Sequence, residues 1–274
     1  MSQETITKQE TTEFSIREEY KQSSRKLKDE VIERTPRNLF QYFANLYYRV
    51  AFTKERVRIE KHRDWWLVTK GGISLLSPTP KFIGLSTLKE LEGKFEKFFK
   101  IKEGDTVLDV GACIGDTTVP MAMKTGEKGT VIAVEPEPCN IKFLRANTSC
   151  FNNVRVVEKA AWNRKENIRF NIHSSCTGHS IIDQSEDYTE VQADTLDNIV
   201  KDWDRIDFCK IDVQGAELEV LEGAEEMLRK TRNIVVETHY FGEKALYPKV
   251  SAFLRKRGFS VRVTLDRVVH AWMR

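Results

Sequence analysis

Between Val107 and Pro136 the chain carries an acid, Asp109, two glycines, Gly111 and Gly115, a second acid, Asp116, and then Glu135, twenty residues beyond Gly115. An apolar run from Val107 to Val110 feeds the glycine turn, and a second from Val131 to Val134 delivers Glu135. Each residue type suits one task. Gly111 lets the backbone leave a strand in a conformation that a β-carbon would penalise. Gly115 removes a side chain where a ligand and the start of a helix would crowd. Asp116, Thr117 and Thr118 offer oxygens to cap that helix. A carboxylate at the end of the neighbouring strand, Glu135, can accept both hydroxyls of a ribose. Strand, glycine turn, helix, strand and acid, in that order, make a nucleotide-type cofactor site on a βαβ unit.

The kind of cofactor follows from what the turn lacks. No Gly-x-x-x-x-Gly-Lys-Ser/Thr run is present, and Cys113 stands where a dinucleotide site would need a second glycine to admit a pyrophosphate. A cofactor with a ribose and no phosphates, S-adenosylmethionine, fits these residues. The candidate contacts are Asp109, Gly111, Ala112, Cys113, Gly115, Asp116, Glu135, Pro136, Ala160 and Asp212, with Asp109 expected beside the amino-acid end of the cofactor.

A second constellation lies later in the chain. Ligands of an open parallel sheet sit at the carboxyl ends of its strands. The run Ile206 to Asp212 ends in an acid, and the run Ile234 to His239 ends with Glu237 and His239, which strand alternation would place on one side. Asp212, Glu237 and His239 are therefore the candidate catalytic residues. Asp212 or His239 could take a proton from an acceptor; two carboxylates and an imidazole could instead hold a divalent ion. No metal ligand is assigned, and a structural role for Glu237 or His239 stays open. His173 and His179, in a polar insertion, are substrate-side candidates.

The elements that must position these residues alternate. Strands are expected at 106–110, 130–135, 154–158, 206–212 and 233–238, with an excursion pair near 167–172 and 189–193. Two last strands, near 259–264 and 267–273, are separated only by the turn at Leu265-Asp266-Arg267 and must run antiparallel to one another. Helices are expected at 116–125, 138–149, 194–201, 215–229 and 243–256. The fold class is therefore α/β, Rossmann-like, a mostly parallel doubly wound sheet closed by an antiparallel C-terminal hairpin.

Ahead of this sheet, residues 1–13 read as a flexible tail. Residues 14–79 read as an extension: a charged helix to about Glu33, a helix near Arg37–Phe52 with an apolar stripe at Leu39, Phe40, Phe43, Leu46, Tyr47 and Val50, and a hairpin around Gly71-Gly72. Leu85–Phe99 reads as a helix leading into the domain at 80–274. The stripe suits core packing or a homodimer interface. Positive charge gathers before Trp65-Trp66, at Arg49, Lys54, Arg56, Arg58, Lys61 and Arg63. Such a stretch could hold RNA, an anionic substrate or a membrane surface; Glu55, Glu60 and Asp64 interleave with it, which better suits a solvated, ion-paired face.

Composition sets outer bounds. The 274 residues are 40% hydrophobic and 31% charged, with a formal net charge of +3, as in a globular protein. No apolar run of eighteen residues occurs, and the polar, acidic start is unlike a secretory signal, so a cytoplasmic location without a membrane span is expected. Five cysteines, Cys113, Cys139, Cys150, Cys176 and Cys209, show no Cys-x-x-Cys spacing, which supports neither zinc nor a disulfide framework.

From about Glu92 to His239 the sequence resembles the FkbM family of S-adenosylmethionine-dependent methyltransferases. The segment Val107 to Gly115 looks like that family's first motif and Ala133 to Pro138 like its ribose-binding motif. The segments Ala193 to Asp197, Lys210 to Glu217, Leu221 to Ala224 and Glu237 to His239 resemble its later blocks. The resemblance implies methyl transfer, often to a hydroxyl of a sugar or small metabolite. It also implies cofactor contacts at Asp109, Gly111, Gly115 and Glu135, with Asp212 beside the reaction centre. Cys113 replaces the family's usual asparagine, and Gln214 replaces its usual glutamate after Asp212. Residues 1–91 lie outside the resemblance.

Overall fold

A computed structural model describes residues 57–62, 65–78, 88–171, 188–241 and 244–273. The expected tail, the two N-terminal helices with their apolar stripe, most of the basic stretch, His173, Cys176 and His179 lie outside the described residues. The chain divides into two compact units, Met1–Ile59 and Glu60–Arg274. Strand β1 (Val57–His62) spans the division.

The second unit is built on a seven-stranded sheet. Its strands are β4 (Thr106–Val110), β5 (Thr130–Val134), β6 (Val154–Val157), β10 (Ile206–Ile211), β11 (Thr231–Glu237), β14 (Ser260–Val263) and β15 (Val268–Trp272), in the order β14-β15-β11-β10-β4-β5-β6. The pairs β6/β5, β5/β4, β4/β10 and β10/β11 are parallel. β15 is antiparallel to both β11 and β14, so the C-terminal hairpin inserts its last strand into the sheet, as its short turn requires. The chain winds outward from β4 to β6, then crosses to β10 and winds the other way. The switch between β4 and β10 opens the crevice where ligands of such sheets bind.

Alternation divides the core between two faces. Leu108, Val110, Ile132, Val134, Cys209, Ile211, Ile234 and Val236 form one cluster. It is covered by α4 (Leu196–Ile199), α5 (Glu217–Glu222), α6 (Glu225–Arg229) and α7 (Tyr247–Lys256). Val107, Val131, Phe208, Val235 and Val268 face Leu91 and Phe95, on and beside α1 (Leu88–Lys94), and Met121 of α2 (Thr118–Thr125). Burial on both faces explains why the central strands read as continuous apolar runs. Helix α3 (Pro138–Thr148) starts at Glu137, whose carboxylate accepts from Cys139 N and Asn140 N.

Three local departures have physical causes. The helix expected over 215–229 is two, α5 and α6. Gly223 lies where a β-carbon would meet the Trp162 carbonyl oxygen at 2.1 Å, its own carbonyl accepts from Asp197 N, and the Asp197 carboxylate caps Met227 N to begin α6. The excursion pair, β8 (Glu166–Asn171) and β9 (Tyr188–Asp194), recruits a short strand, β7 (Ala160–Ala161), that alternation did not reveal. A second small ladder, β12 (Tyr240–Phe241) with β13 (Lys244–Ala245), precedes α7.

The hairpin β2 (Trp65–Lys70) and β3 (Ile73–Ser77) turns at Gly71-Gly72, both with positive φ, as a two-residue turn of matching twist demands. It belongs to the second compact unit. Asn147 of α3 accepts from Leu76 N at 2.7 Å and donates to Leu76 O at 2.9 Å and to Ile114 O, in the glycine turn, at 2.8 Å. No helix among the described residues is long and apolar enough to cross a membrane.

His270 of β15 is fully buried against the edge of Phe98, and neither ring nitrogen has a hydrogen-bond partner among the described residues. Burial lowers its pKa to about 4. An unfolded chain protonates this ring near pH 6.5, so protonation draws the protein toward unfolding as pH falls from 6.5 to 4. Denaturation at a series of pH values should show wild type losing stability relative to His270→Phe below pH 6.5, by up to about 3 kcal/mol near pH 4. Parallel curves for the two proteins would remove this role.

Candidate functional site

The crevice begins with the bend after β4. Gly111 N and Ala112 N both donate to Val134 O at the end of β5, at 3.0 and 3.1 Å, and the next amide, Cys113 N, donates to Glu135 Oε2 at 2.8 Å. Three successive amides are thus hooked onto the end of the neighbouring strand. Gly111 has φ +79, and a β-carbon there would lie 1.9 Å from Asp212 O. This contact brings the bend against the end of β10, where Asp212 N donates to Val110 O. Cys113 itself has φ 51, a left-handed conformation that few side chains adopt.

Glu135 is 4% exposed. Besides Cys113 N, it accepts at Oε1 from Glu137 N at 3.0 Å and Asn140 Nδ2 at 3.3 Å. Burial raises its pKa to about 7 in spite of these donors. A carboxylate has about four acceptor positions, so Oε2 retains one beside the mouth of the bend. Pro136 is half-buried next to it, whereas Ala112 and Ala160 are buried.

Asp109 turns inward. It is fully buried and accepts from Thr117 Oγ1 at 2.8 Å, Thr118 Oγ1 at 2.7 Å and Lys210 Nζ at 3.0 Å. The hydroxyls expected to cap α2 are spent on Asp109, since an unpaired carboxylate in a dry interior costs far more than an uncapped helix start. Lys210 stands opposite Asp109 in the β4/β10 register and also donates to Gly111 O at 3.1 Å. Burial opposes the charge on Lys210, but Asp109, Asp212 and Asp116 outweigh it and raise its pKa. Sequence reasoning assigned Lys210 no role; a lysine inside an apolar run, one strand away from an acid in a second such run, was the available signal. Asp116 is half-buried, without a side-chain hydrogen-bond donor among the described residues, and burial lifts its pKa to about 6.

Across the crevice the structure brings Asp212 and His239 together, with His239 Nε2 3.8 Å from Asp212 Oδ1. Gln214 Nε2 donates to the same Asp212 oxygen at 2.9 Å. The third member is Glu217 of α5, whose Oε1 lies 2.7 Å from His239 Nδ1. Glu237 takes a different partner. It shares the face of Val235 and α1, and Lys94 Nζ grips both of its oxygens at 2.7 and 2.6 Å. β11 ends at Glu237, so the alternation expected to align His239 with it no longer applies. Among the described residues no group of three His, Cys, Asp or Glu is placed to hold a metal ion.

The family profile described as the Methyltransferase FkbM domain matches residues 109–261, from the buried acid of β4 to the second residue of β14. The chain belongs to the FkbM methyltransferase family. A curated relative, methyltransferase sdnD of Sordaria araneosa, is 46% identical over 65 residues, which are 23% of this chain and 24% of that protein. Among solved structures, an FkbM methyltransferase from Methylobacillus flagellatus KT aligns with TM-score 0.49 and 17% identity, over 64% of this chain and 45% of that one. Fibrillarin from Aeropyrum pernix, solved with natively bound S-adenosylmethionine, aligns with TM-score 0.47 and 13% identity over 79% and 98%.

In this FkbM-family chain the Asp109–Lys210 pair carries the floor of the crevice. Lys210→Met would leave Asp109 buried with no countercharge, a loss of about 3–5 kcal/mol. Urea denaturation should show that loss, and adding Asp109→Leu should return part of it. Unchanged stability in the single variant would show that the pair carries no such load.

Proposed function

We propose that the domain transfers a methyl group from S-adenosylmethionine to a hydroxyl of a sugar or other small molecule, and that it extends over about residues 80–274. The observation that carries this reading is the Glu135 carboxylate bonded to the bend through Cys113 N, with an acceptor position to spare on Oε2. The residues present fit the cofactor. Oε2 can accept from a ribose hydroxyl. Asp109 is fully buried beneath the bend and paired with Lys210, so Asp116, which is half-buried, is the carboxylate left to face the cofactor's ammonium. Lys210, the lysine beneath the bend, is committed to Asp109 and Gly111 O and so is not available to a phosphate.

When bound, the cofactor supplies an electrophilic methyl group on a sulfonium. The protein's own tasks are to align the acceptor and to receive its proton. A neutral hydroxyl attacks well only as that proton leaves, so a base must lie within hydrogen-bond reach. Asp212 follows the carboxyl end of β10, which flanks the crevice, and His239 that of the neighbouring β11. Burial works against a charge on His239, but Glu217, Asp212 and Glu237 together raise its pKa above the usual value. A reaction using neutral His239 should therefore accelerate as pH rises through a midpoint above 6.5.

Two measurements test the reading. In an assay with radiolabelled methyl donor and small hydroxylated acceptors, label should enter an acceptor, and a chelator should leave the rate unchanged; no label in any acceptor fraction would count against it. In calorimetry, affinity for the donor should rise between pH 6 and pH 8 as Glu135 ionises. Glu135→Ala should weaken binding by roughly 1.5–3 kcal/mol, the worth of hydrogen bonds to a charged group, and remove the part of the pH dependence centred near 7. Binding indifferent to Glu135 would exclude it as the ribose acceptor.

A further inference from the structure

The carboxylate of Glu217 is fully buried, yet its Oε2 has no hydrogen-bond partner among the described residues. A buried, half-satisfied carboxylate costs stability, so packing alone does not explain it. What Glu217 does hold is a functional side chain. Its Oε1 accepts from Gly215 N at 3.0 Å, which fixes the oxygen on the turn after β10, and faces His239 Nδ1 at 2.7 Å. The backbone of His239 is fixed as well, since its carbonyl accepts from Leu246 N.

We propose that Glu217 is the positioning residue of the acceptor base: it holds the His239 ring with Nδ1 protonated, so that Nε2 presents its lone pair toward the crevice beside Asp212. A carboxylate only accepts, so the short contact assigns the proton to Nδ1 and leaves Nε2 as the basic nitrogen. The 3.8 Å gap from Nε2 to Asp212 Oδ1 is too long for a hydrogen bond, and the Asp212 oxygen is already engaged by Gln214. Nε2 is therefore the free base and Asp212 a nearby charge. In the step it serves, the acceptor's O–H bond breaks and an Nε2–H bond forms. The electron pair stays on oxygen for its new bond to the methyl carbon, whose bond to sulfur would break with its pair left on sulfur, and the imidazolium later returns its proton to water. The charges that act on the ring are those of Asp212 from the loop after β10, Glu217 from α5 and Glu237 from β11, the last turned to Lys94 from α1. Glu217 is the one in direct contact. The assignment rests on the methyl-transfer reading above.

Nitrogen-15 NMR of the full chain with labelled histidine, His239 identified through His239→Gln, tests it without turnover. In wild type, neutral His239 should carry its proton on Nδ1 and titrate above 6.5. In Glu217→Gln the midpoint should drop by about one pH unit, the scale on which a neighbouring charge shifts a titration. The acidic limb of kcat/KM should follow it down, with KM for the methyl donor unchanged. Should Glu217→Gln fail to fold, the wild-type tautomer still decides. A proton on Nε2 in wild type, or a midpoint unmoved in the variant, overturns the role of Glu217 alone. Absence of donor binding by wild type in calorimetry would overturn the reading beneath it.

Discussion

A carboxylate taken out of water must be surrounded by donors, and the way Glu135 meets that demand shapes the whole crevice. Its donors are one amide from the bend, one from the start of α3 and one side chain of α3. Satisfying them pins the bend to the end of β5, and it forces Cys113 into a left-handed backbone to aim its N–H at the acid. The cost of that conformation, of order 1–3 kcal/mol, is offset by the hydrogen bond to a charged group. The protein's own hydrogen bonds thus fix the bend against Glu135.

A second buried charge supports the first from below. Asp109 and Lys210 stand in register on β4 and β10, and Lys210 also holds the Gly111 carbonyl. Gly111 in turn can approach the Asp212 carbonyl only because it lacks a β-carbon. The bend, the switch between β4 and β10, and the acid at the end of β10 are thereby one rigid object. The hairpin adds a third support from outside the family-matched region, because Asn147 bonds both Leu76 and Ile114.

Much of this was legible in the sequence. The central strands were, because burial on both faces leaves runs of apolar residues that nothing else produces. The antiparallel ending was, because so short a turn cannot make a parallel crossover. The place of Glu135 beside the glycine turn was, because adjacent parallel strands bring the end of the second to the turn that follows the first. What was not legible depends on partners distant in the chain. Asp109 faces inward because of Lys210, a hundred and one residues away. Glu217 reaches His239 only through the turn at Gln214-Gly215 and the end of β11, and Glu237 departs because α1 presents Lys94. Residue spacing along one strand carries none of that information. The split of the helix at Gly223 follows from close approach to Trp162, another contact that periodicity cannot show.

The central claim is that Glu135, already tied to the bend, completes its hydrogen bonding with a ribose. A crystal structure of the chain with S-adenosylhomocysteine is the most direct measurement. A ribose hydroxyl should lie about 2.5–3.0 Å from Glu135 Oε2, with the bend amides still on Val134 O. A ribose elsewhere in the crevice, with Glu135 still enclosed by its three protein donors, would contradict it.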